Sequence, residues 1–568
     1  MQTAPAIMTQ GASRAKRVRC GCLTSVRIGA AIALAALAAA PGPARARSDA
    51  PSFAAEFAQH EAAGRRFGQI SVRAEDVFDT ADPRENYAIY RLANRLHVQT
   101  RPQVIERALL FKRGDPVSVR VIEETERVLR DGRQLADVQV RPLEVRDGEV
   151  DVEIVTRDTW SFDIAAGVAR AGGENTTGIR VAEYNLLGTG VALSLGRFDN
   201  VDRTSTTLAY THNRALGTWM RLGLAHASNS DGERSAVDIV RPFHALDARW
   251  AAGVSGVKDN RIDSVYVAGE IESQYRVRQS FGEVFAGWSP GLRGGWVQRV
   301  SAGIQVQDDA FAPEPGRIAP PLLPIDRRLR APFVRWELIE DRTLRESNRN
   351  LMGRPEYFPL GWLSSVQLGR TLRDLGSTQD AWLYALSVQR GFEPLGDQTL
   401  LVAARLSGQY FDGEAQRQRY GVEAQWYVPF GPRQLIYAGG SMQWLNRPDP
   451  AQALRLGGDE GLRGYPLRFQ NGTRRALLTL EHRFFTDVYL WRLFRFGGAG
   501  FLDVGRAWGG DSAGAEKPEW LSNVGVGLRI VNTRWAFRNV IHIDIAAPLN
   551  APSDVDRVQL LIRSKQTF

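Results

Sequence analysis

The chain has 568 residues, is 43% hydrophobic and carries a formal net charge of +9. This length exceeds one ordinary core, so we expect either several domains or one large closed sheet with an appendage. The longest apolar run, Ile28 to Ala40, is too short to cross a bilayer as a helix, which argues against a helical membrane protein.

This apolar run has the features of an export signal. Five basic residues precede it (Arg14, Lys16, Arg17, Arg19 and Arg27), and Ala44-Arg45-Ala46 places small residues where signal peptidase acts. We predict a signal peptide over 1–46, cleaved after Ala46. It holds six of the 72 basic residues and none of the 63 acidic ones, which leaves a net charge of +3. No clustered basic face remains to indicate nucleic-acid binding.

Both cysteines, Cys20 and Cys22, lie inside the predicted signal peptide. The processed chain would therefore have no disulfide, no thiolate metal site and no cysteine nucleophile. Both also precede the apolar run, where a lipoprotein would have its cysteine after the run.

After a predicted linker over 47–67, the segment 68–158 mixes strand and helix patterns. ISVRAEDVF, Ile70 to Phe78, alternates like a strand, and Arg101 to Asp115 and VRVIEETERVLRDG have helical spacing. ADVQVRPLEV and GEVDVEIVT then predict a hairpin that turns at Arg146-Asp147-Gly148. The predicted order is strand, helix, helix, strand, strand.

This order resembles a polypeptide-transport-associated (POTRA) domain. The run TRPQVIERALLFKRGD is similar to that family's first helix and turn. The resemblance implies a small α+β domain in the periplasm. The insert between Phe78 and His97 is longer than the family usually carries, and the sequence does not place it.

From 159 to 568 the chain consists of alternating segments of roughly ten residues. In NVIHIDIAAP, for example, Ile541, Ile543 and Ile545 oppose His542 and Asp544. A polar second face is typical of a transmembrane antiparallel β-barrel with a wet lumen. A soluble sandwich or propeller alternates in the same way, but the export signal and the aromatic strand ends at Trp382, Trp426 and Trp444 favour the membrane barrel.

The C-terminus continues this pattern. In RVQLLIRSKQTF, Val558, Leu560 and Ile562 lie two apart, and the terminal Phe568 falls in the same phase. A terminal aromatic residue on the lipid face resembles the recognition signal of bacterial outer-membrane proteins, and we predict this position for Phe568.

The stretch GGDEGLRGYPLRF resembles the sixth extracellular loop of the BamA and TamA superfamily, which has an Arg-Gly-aromatic tip. The resemblance implies that this loop folds into the lumen, with Arg463, Gly464 and Tyr465 at its tip. It also implies that Asp503, in the matching wall motif FLDVG, pairs with Arg463. NLLGTG, Asn185 to Gly190, is similar to an early barrel segment of the same family.

The strand number is ambiguous from sequence. The resemblance implies 16 strands, whereas about twenty alternating segments can be drawn under the ten-residue criterion, with five after the loop. Some of the excess could be hairpins within long loops, or the barrel could be larger.

Enzyme signals are weak. GWSPG, Gly287 to Gly291, matches a nucleophile-elbow pattern, but Pro290 follows the serine where a helix is needed, so we predict an ordinary turn. No metal or cofactor motif is present in the sequence. We expect no catalysis, no cofactor and no metal.

The resemblance implies assembly or translocation of polypeptides at the outer membrane of a Gram-negative bacterium, with the POTRA-like domain receiving an unfolded client. Outer-membrane lipid and a periplasmic chaperone or accessory protein are the other expected partners. Two alternatives stay open: a two-partner-secretion transporter, which normally has two POTRA domains, and a pore-forming barrel without a protein client.

Overall fold

The computed structural model describes residues 53–510, 519–536, 539–565 and 568. The predicted signal peptide, 1–46, lies outside the described residues. The described chain forms an N-terminal α+β unit, up to Asp158, followed by a closed barrel.

The α+β unit contains three strands and four helices. In chain order these are α1 (Ala54–Ala62), β1 (Arg66–Glu75), α2 (Ala88–Leu96), α3 (Pro102–Glu106), α4 (Val119–Arg130), β2 (Leu135–Arg146) and β3 (Glu149–Asp158). The sheet order is β1-β3-β2, with β1 parallel and β2 antiparallel to β3. Alternate strand residues such as Val152 and Ile154 pack with Ile105 and Ile122 of the helices, and this apolar core holds the unit together.

The described part of the predicted linker 47–67 is not a linker. Residues Ala54–Ala62 form α1, and β1 begins at Arg66. The reason is apolar burial: Phe57 projects from α1 into the core of the unit and is 1% exposed. The unplaced insert between Phe78 and His97 contains a helix as well, α2.

The barrel strands follow one another around the wall in antiparallel order. They are β4 (Phe162–Ala171), β5 (Glu174–Glu183), β6 (Val191–Asp199), β7 (Thr204–Ala215), β8 (Met220–Asn229), β9 (Gly232–Arg241), β10 (Trp250–Val267), β11 (Glu270–Trp288), β12 (Leu292–Arg293), β13 (Trp296–Pro313), β14 (Arg327–Glu340), β17 (Leu363–Arg370), β18 (Trp382–Phe392), β19 (Thr399–Phe411), β20 (Glu414–Pro429), β21 (Gln434–Asn446), β24 (Arg474–Leu490), β25 (Phe494–Trp508), β26 (Leu521–Asn532), β27 (Val540–Pro548) and β28 (Gln559–Lys565). Two hairpins are inserted between wall strands: β15 (Thr343–Ser347) with β16 (Pro355–Pro359), and β22 (Leu454–Leu456) with β23 (Gln470–Gly472).

The barrel has 20 strands, since the two-residue β12 only extends the turn between β11 and β13. The expectation of 16 strands was therefore wrong, and the count of about twenty alternating segments agrees with the structure. Every wall strand before the loop pairs with a neighbour on each side, and the short hairpin of β15 and β16 pairs only within itself. Five strands, β24 to β28, follow the loop.

The two faces of the wall differ as a membrane barrel requires. Apolar side chains such as Val526 and Ile545 are exposed on the outside, whereas His542 and Asp544, on the same strand as Ile545, are buried inside. Exposed aromatic residues lie near both ends of the wall: Trp250, Trp288 and Trp491 at the end that contacts the α+β unit, and Trp382 and Tyr410 at the opposite end. We call these the domain end and the far end.

Among the described residues, no helix is both long and apolar enough to cross a membrane. GWSPG covers the last two residues of β11 and the turn to β12, where the Oγ of the buried Ser289 accepts a hydrogen bond from the backbone N–H of Gly291.

Candidate functional site: the lumen and the strand seam

The loop between β21 and β24 enters the lumen from the far end. We call residues 447–473 the far-end loop. Its short hairpin, β22 with β23, carries the stretch Gly457 to Phe469 at its tip. Leu462 and Tyr465 are fully buried, and they pack with Leu521 on the wall. The Tyr465 hydroxyl donates to the Asn550 side chain at 2.9 Å, so the tip is held by both apolar and polar contacts.

Arg463 binds two carboxylates of the wall. Its Nε and Nη2 donate to Asp503 at 2.8 and 2.7 Å, and its Nη1 donates to Glu481 at 2.8 Å. The guanidinium carbon also lies 3.3 Å from the centroid of the Phe501 ring. The arginine side chain is only 4% exposed. The structure thus brings together Arg463 and Asp503, the two residues that the resemblance pairs.

Asp503 has further donors. Thr479 Oγ1 and Asn523 Nδ2 each donate to it at 2.9 Å, in addition to the two bonds from Arg463. A buried carboxylate with this many donors is well compensated for its loss of water. The surroundings of Asp503 therefore stabilise a charged carboxylate and favour its pairing with Arg463.

Gly464 is required for space and not for a turn. Its backbone is outside the left-handed region, but a Cβ here would lie 2.7 Å from the Cβ of Asn523 and 3.0 Å from the backbone nitrogen of Pro548. The glycine therefore lets the loop approach the wall at β26 and β27.

Additional charged residues extend the Arg463 site, and sequence reasoning did not single them out. Glu481 also accepts a hydrogen bond from Arg483 Nε at 2.8 Å. Beside them, the fully buried Arg529 and Asp544 form an ion pair at 2.5 Å. The available signal was the alternation of β24, which directs Glu481 and Arg483 to the same side as Thr479.

A second insert, the hairpin of β15 and β16, enters the lumen from the domain end. We call residues 343–359 the plug hairpin. At its tip, the backbone carbonyl of Arg349 accepts a hydrogen bond from Arg483 at 2.9 Å, and the Asn350 side chain contacts the Tyr427 hydroxyl at 3.0 Å. Arg483 therefore links the plug hairpin to Glu481, which binds the far-end loop through Arg463.

Phe568 does not lie on the lipid face, so that prediction was wrong. Its ring is 4% exposed and packs with Met352, Phe358 and Phe485, and its backbone N–H donates to Asn350 of the plug hairpin at 2.8 Å. The Arg483 guanidinium lies 5.3 Å from the ring centroid. The plug hairpin supplies an apolar pocket inside the lumen, and this pocket accommodates the terminal ring.

The seam between the last and first strands is the weakest joint of the wall. Among the described residues, β28 and β4 share a single register pair, Ile562 with Arg170, whereas β4 and β5 are paired from Phe162–Glu183 to Ala171–Glu174. A seam with few ladder hydrogen bonds leaves backbone groups of both strands available for other partners.

The far-end loop spans this seam from inside. The carbonyl of Gly458 accepts a hydrogen bond from Arg563 of β28 at 3.0 Å. On the other side, a Cβ on Gly458 would lie 2.7 Å from the Cα of Gly172, in the turn after β4. The loop that Arg463 anchors therefore contacts both edges of the seam.

The segment NLLGTG joins the α+β unit to the barrel. The Asn185 side chain donates to Thr100 Oγ1 at 2.9 Å, and the Gly188 carbonyl accepts from the Arg101 backbone N–H at 3.0 Å. Asp158 accepts from both the backbone and the hydroxyl of Thr100, at 2.7 and 3.0 Å. This cluster fixes the segment after α2 against the β5–β6 turn.

A second contact between the α+β unit and the barrel is made by α4. Glu124 accepts a hydrogen bond from the backbone N–H of Leu246 at 2.8 Å and pairs with Arg120 at 2.9 Å. Burial raises the pKa of the Glu124 carboxyl, and these two contacts oppose that rise. Contacts from both the α+β unit and the barrel thus stabilise the buried carboxylate.

We expect Gly188→Ala to separate the α+β unit from the barrel. Gly188 has φ +73°, and a Cβ would lie 2.4 Å from the Gln99 carbonyl oxygen. Gly173→Ala is the matched control, because Gly173 has φ +85° but no atom within 4 Å of its Cβ position. Both changes cost about 1–2 kcal/mol of backbone strain, but only the first also displaces a neighbour. Faster limited proteolysis near Thr100 in Gly188→Ala alone is the expected result, and equal rates in both variants would contradict it.

Among the described residues, no group of three or more His, Cys, Asp or Glu side chains is arranged to hold a metal ion.

No protein-family model and no curated protein matches the sequence. Among solved structures, the chain is similar to CdiB from Escherichia coli, with 14% identity and a TM-score of 0.44 over 88% of this chain and 76% of that one. It is also similar to CdiB from Acinetobacter baumannii, with 13% identity and a TM-score of 0.41 over 88% and 74% of the two chains. BamA from Haemophilus ducreyi lacking POTRA domains 1–3 gives 14% identity and a TM-score of 0.40 over 88% and 85%. At these values the similarity carries no functional argument.

Proposed function

We propose that this protein inserts or exports polypeptides at the outer membrane of a Gram-negative bacterium, and that the closed barrel is its resting state. The α+β unit, as a POTRA-like domain in the periplasm, receives an unfolded client. The strand seam then opens to let the client pair with an edge of the barrel. Folding of the client in the bilayer supplies the driving force.

The observation that carries this proposal is the seam. In the part of the chain that the structure describes, one register pair closes β28 against β4, while the neighbouring ladders are continuous. Opening the seam therefore costs few hydrogen bonds, and it exposes two strand edges that a client strand can extend. The far-end loop, anchored by Arg463, keeps the seam closed until a client arrives.

A passive pore is less well supported, because the lumen is occupied from both ends. The plug hairpin and the far-end loop both contact the pair Glu481 and Arg483. Two inserts that meet through buried charges inside the lumen would obstruct an open diffusion channel. Between assembly and two-partner secretion we favour neither, since the identity of the client distinguishes them.

Contacts along β2 support a narrower binding position for the client. β2 is an edge strand, but its first half is already capped by α4: the backbone N–H of Val140 donates to Glu126 at 2.9 Å, and the Val138 carbonyl accepts from Arg130. The exposed side chains of Leu143 and Val145 lie further along the strand. We therefore propose the 143–146 end of β2 as the receiving edge.

A disulfide across the seam tests the proposal. Arg170 and Ile562 face each other in the register, and directly opposed antiparallel residues are close enough for a disulfide. In cells that carry Arg170→Cys with Ile562→Cys, oxidation should lock the seam and deplete the outer-membrane or secreted proteins that depend on this chain. A reducing agent should restore them.

Ala169→Cys with Thr176→Cys is the matched control, since it crosses the continuous β4–β5 ladder. This disulfide should leave function unchanged. Normal client levels with a fully oxidised seam would overturn the opening mechanism. Steady ohmic conductance in planar bilayers, with every outer-membrane and secreted protein at its normal level after deletion of the gene, would favour the pore alternative.

A further inference from the structure

Helix α2 has an apolar face that no part of the described chain covers. Ile89, Leu92 and Leu96 are 68, 53 and 67% exposed. Their spacing of three and four residues places them on one side of the helix. Tyr87 and Val98, directly before and after the helix, are exposed as well. These five large apolar side chains lie close together, whereas exposed apolar residues on an ordinary protein surface are scattered singly.

The helix is fixed at the rim of the barrel. The Tyr90 hydroxyl donates to the backbone carbonyl of Trp491 in the β24–β25 turn. Tyr90 and Phe78 stack at 4.1 Å between ring centroids, and Leu493 packs against them. The opposite side of the insert is held by Arg534, which pairs with Glu85 and donates to the Val77 carbonyl at 3.0 Å. These contacts fix the position of the apolar face along the barrel axis, beside the domain end of the wall.

This position along the barrel axis coincides with the edge of the apolar band of the barrel. Trp491 is 62% exposed on the turn that contacts α2, and Leu490 and Val488 precede it on the outer face of β24. An exposed aromatic residue at the end of a barrel strand is typical of the membrane–water boundary. The apolar face of α2 therefore continues the lipid-facing surface of the barrel beyond the strand ends.

We propose that α2 is an interfacial helix that lies in the leaflet on the domain side of the membrane and anchors the α+β unit to lipid. This inference rests on the proposed insertion of the barrel in a membrane and goes beyond it. The helix is nine residues long and contains Arg91 and Arg95 but no acidic residue. An apolar face flanked by arginines suits a bilayer surface with anionic lipid, where the apolar side chains enter the acyl boundary and the cations meet phosphates.

The anchor has a consequence for the proposed function. The insert that carries α2 packs on the β26–β27 turn through Arg534 and leads, through His97 and Thr100, to the cluster around Asp158. Lipid seating of α2 therefore holds the α+β unit beneath the strands β24 to β28, next to the seam. A client bound to this unit is kept close to the site where it must enter.

Lipid-attached quenchers test the proposal on the processed chain, which lacks both cysteines. Single variants Leu92→Cys, Val526→Cys and Leu143→Cys carry an environment-sensitive fluorophore in phosphatidylcholine–phosphatidylglycerol proteoliposomes with nitroxide-labelled lipid. Val526 is 63% exposed in the apolar band, and Leu143 is an exposed apolar residue of the same α+β unit away from α2. Quenching at Leu92 should be comparable with that at Val526 and several-fold greater than at Leu143.

The controls separate the two proposals. If the Val526 label is quenched but the Leu92 label behaves like that at Leu143, the barrel is in the membrane and the helix anchor is wrong. If the Val526 label is not quenched, the membrane barrel itself is wrong, and the anchor with it. A photo-crosslinker at Leu96 that captures a polypeptide in intact cells, without lipid quenching at Leu92, would assign the face to a protein partner and overturn the lipid assignment.

Two further variants test the chemistry of the contact. With the fluorophore at Ile89→Cys, the additional change Leu92→Ser with Leu96→Ser should lower the lipid-seated population at least about tenfold, because two large apolar side chains then lose their contact with the acyl chains. Arg91→Glu with Arg95→Glu should reduce quenching in vesicles with phosphatidylglycerol and change it little in pure phosphatidylcholine. Equal quenching of the Ile89 label in the parent and serine variants would contradict an apolar anchor.

Discussion

Arg463→Ala is expected to abolish or severely reduce client transport while the barrel still folds. The change leaves Asp503 and Glu481 facing the lumen without their shared cation. Removal of one partner from a fully buried ion pair costs about 3–5 kcal/mol, and a hydrated lumen lowers that value. The far-end loop is then released from the wall, and with it the contact of Gly458 across the seam.

The measurement is protease cleavage at the far-end loop in intact cells, together with client levels. The unaltered loop is buried and should resist cleavage, whereas the loop of Arg463→Ala should be cut. Arg405→Ala is the control: Arg405 pairs with Glu423 on the wall, but its side chain is 62% exposed, so this pair contributes little. Cleavage of the unaltered loop at the same rate as the variant would show that the loop is not packed inside.

A charge swap at this site has to satisfy Glu481 as well as Asp503. Arg463→Asp with Asp503→Arg reverses one pair but places a carboxylate next to Glu481, which remains. The new arginine at 503 also faces two donors, Thr479 and Asn523, that had bonded to the aspartate. We therefore expect only slight recovery from the swap and more from Arg463→Ala with Asp503→Asn and Glu481→Gln, which removes the unpaired charges.

Parts of this molecule could be predicted from sequence because they follow a local period. The inward positions of His542 and Asp544 and the outward position of Ile545 result from the pleat of a single strand. The meeting of Arg463 with Asp503 is not local, since the two residues are 40 positions apart. It came from the resemblance of two short motifs, and no periodicity would have predicted it.

The missed features depend on long-range packing. The plug hairpin consists of two five-residue strands in a connection between wall strands, and its alternation is the same as that of the wall. Phe568 continues the phase of Leu560 in the sequence, yet it occupies a pocket that exists only because Met352 and Phe358 fold into the lumen. Local patterns cannot show which strands pair with the wall and which turn inward.

Replacement of the plug-hairpin tip, residues 348–354, by a short Gly-Ser turn is expected to give the largest rise in conductance of any single change at the domain end. Barrels of 16 to 18 strands already enclose a water-filled channel, so a wall of 20 strands must be filled by inserted chain to be closed. The tip supplies the contacts to Arg483, Tyr427 and Phe568 at the domain end.

A point variant tests the same element without shortening it. Glu356 accepts hydrogen bonds from the backbone N–H groups of Arg349, Asn350 and Leu351 at 2.9 to 3.1 Å, so its carboxylate organises the tip. Glu356→Ala leaves these buried donors unpaired, at a cost of about 1–3 kcal/mol for each donor. We expect flickering conductance from Glu356→Ala and steady, larger conductance from the tip replacement.

Single-channel recording in planar bilayers measures both variants against the unaltered chain. Replacement of residues 315–323, a mostly exposed connection at the far end that includes Ile318 and Leu322 and leaves the Arg276–Glu314 pair intact, is the control for shortening a loop and should leave conductance unchanged. The far-end loop stays in place in the tip variant, so combining the tip replacement with Arg463→Ala should raise conductance further than either change alone, because each insert closes one end of the same lumen. Unchanged conductance in the combined variant would mean that neither insert closes the lumen.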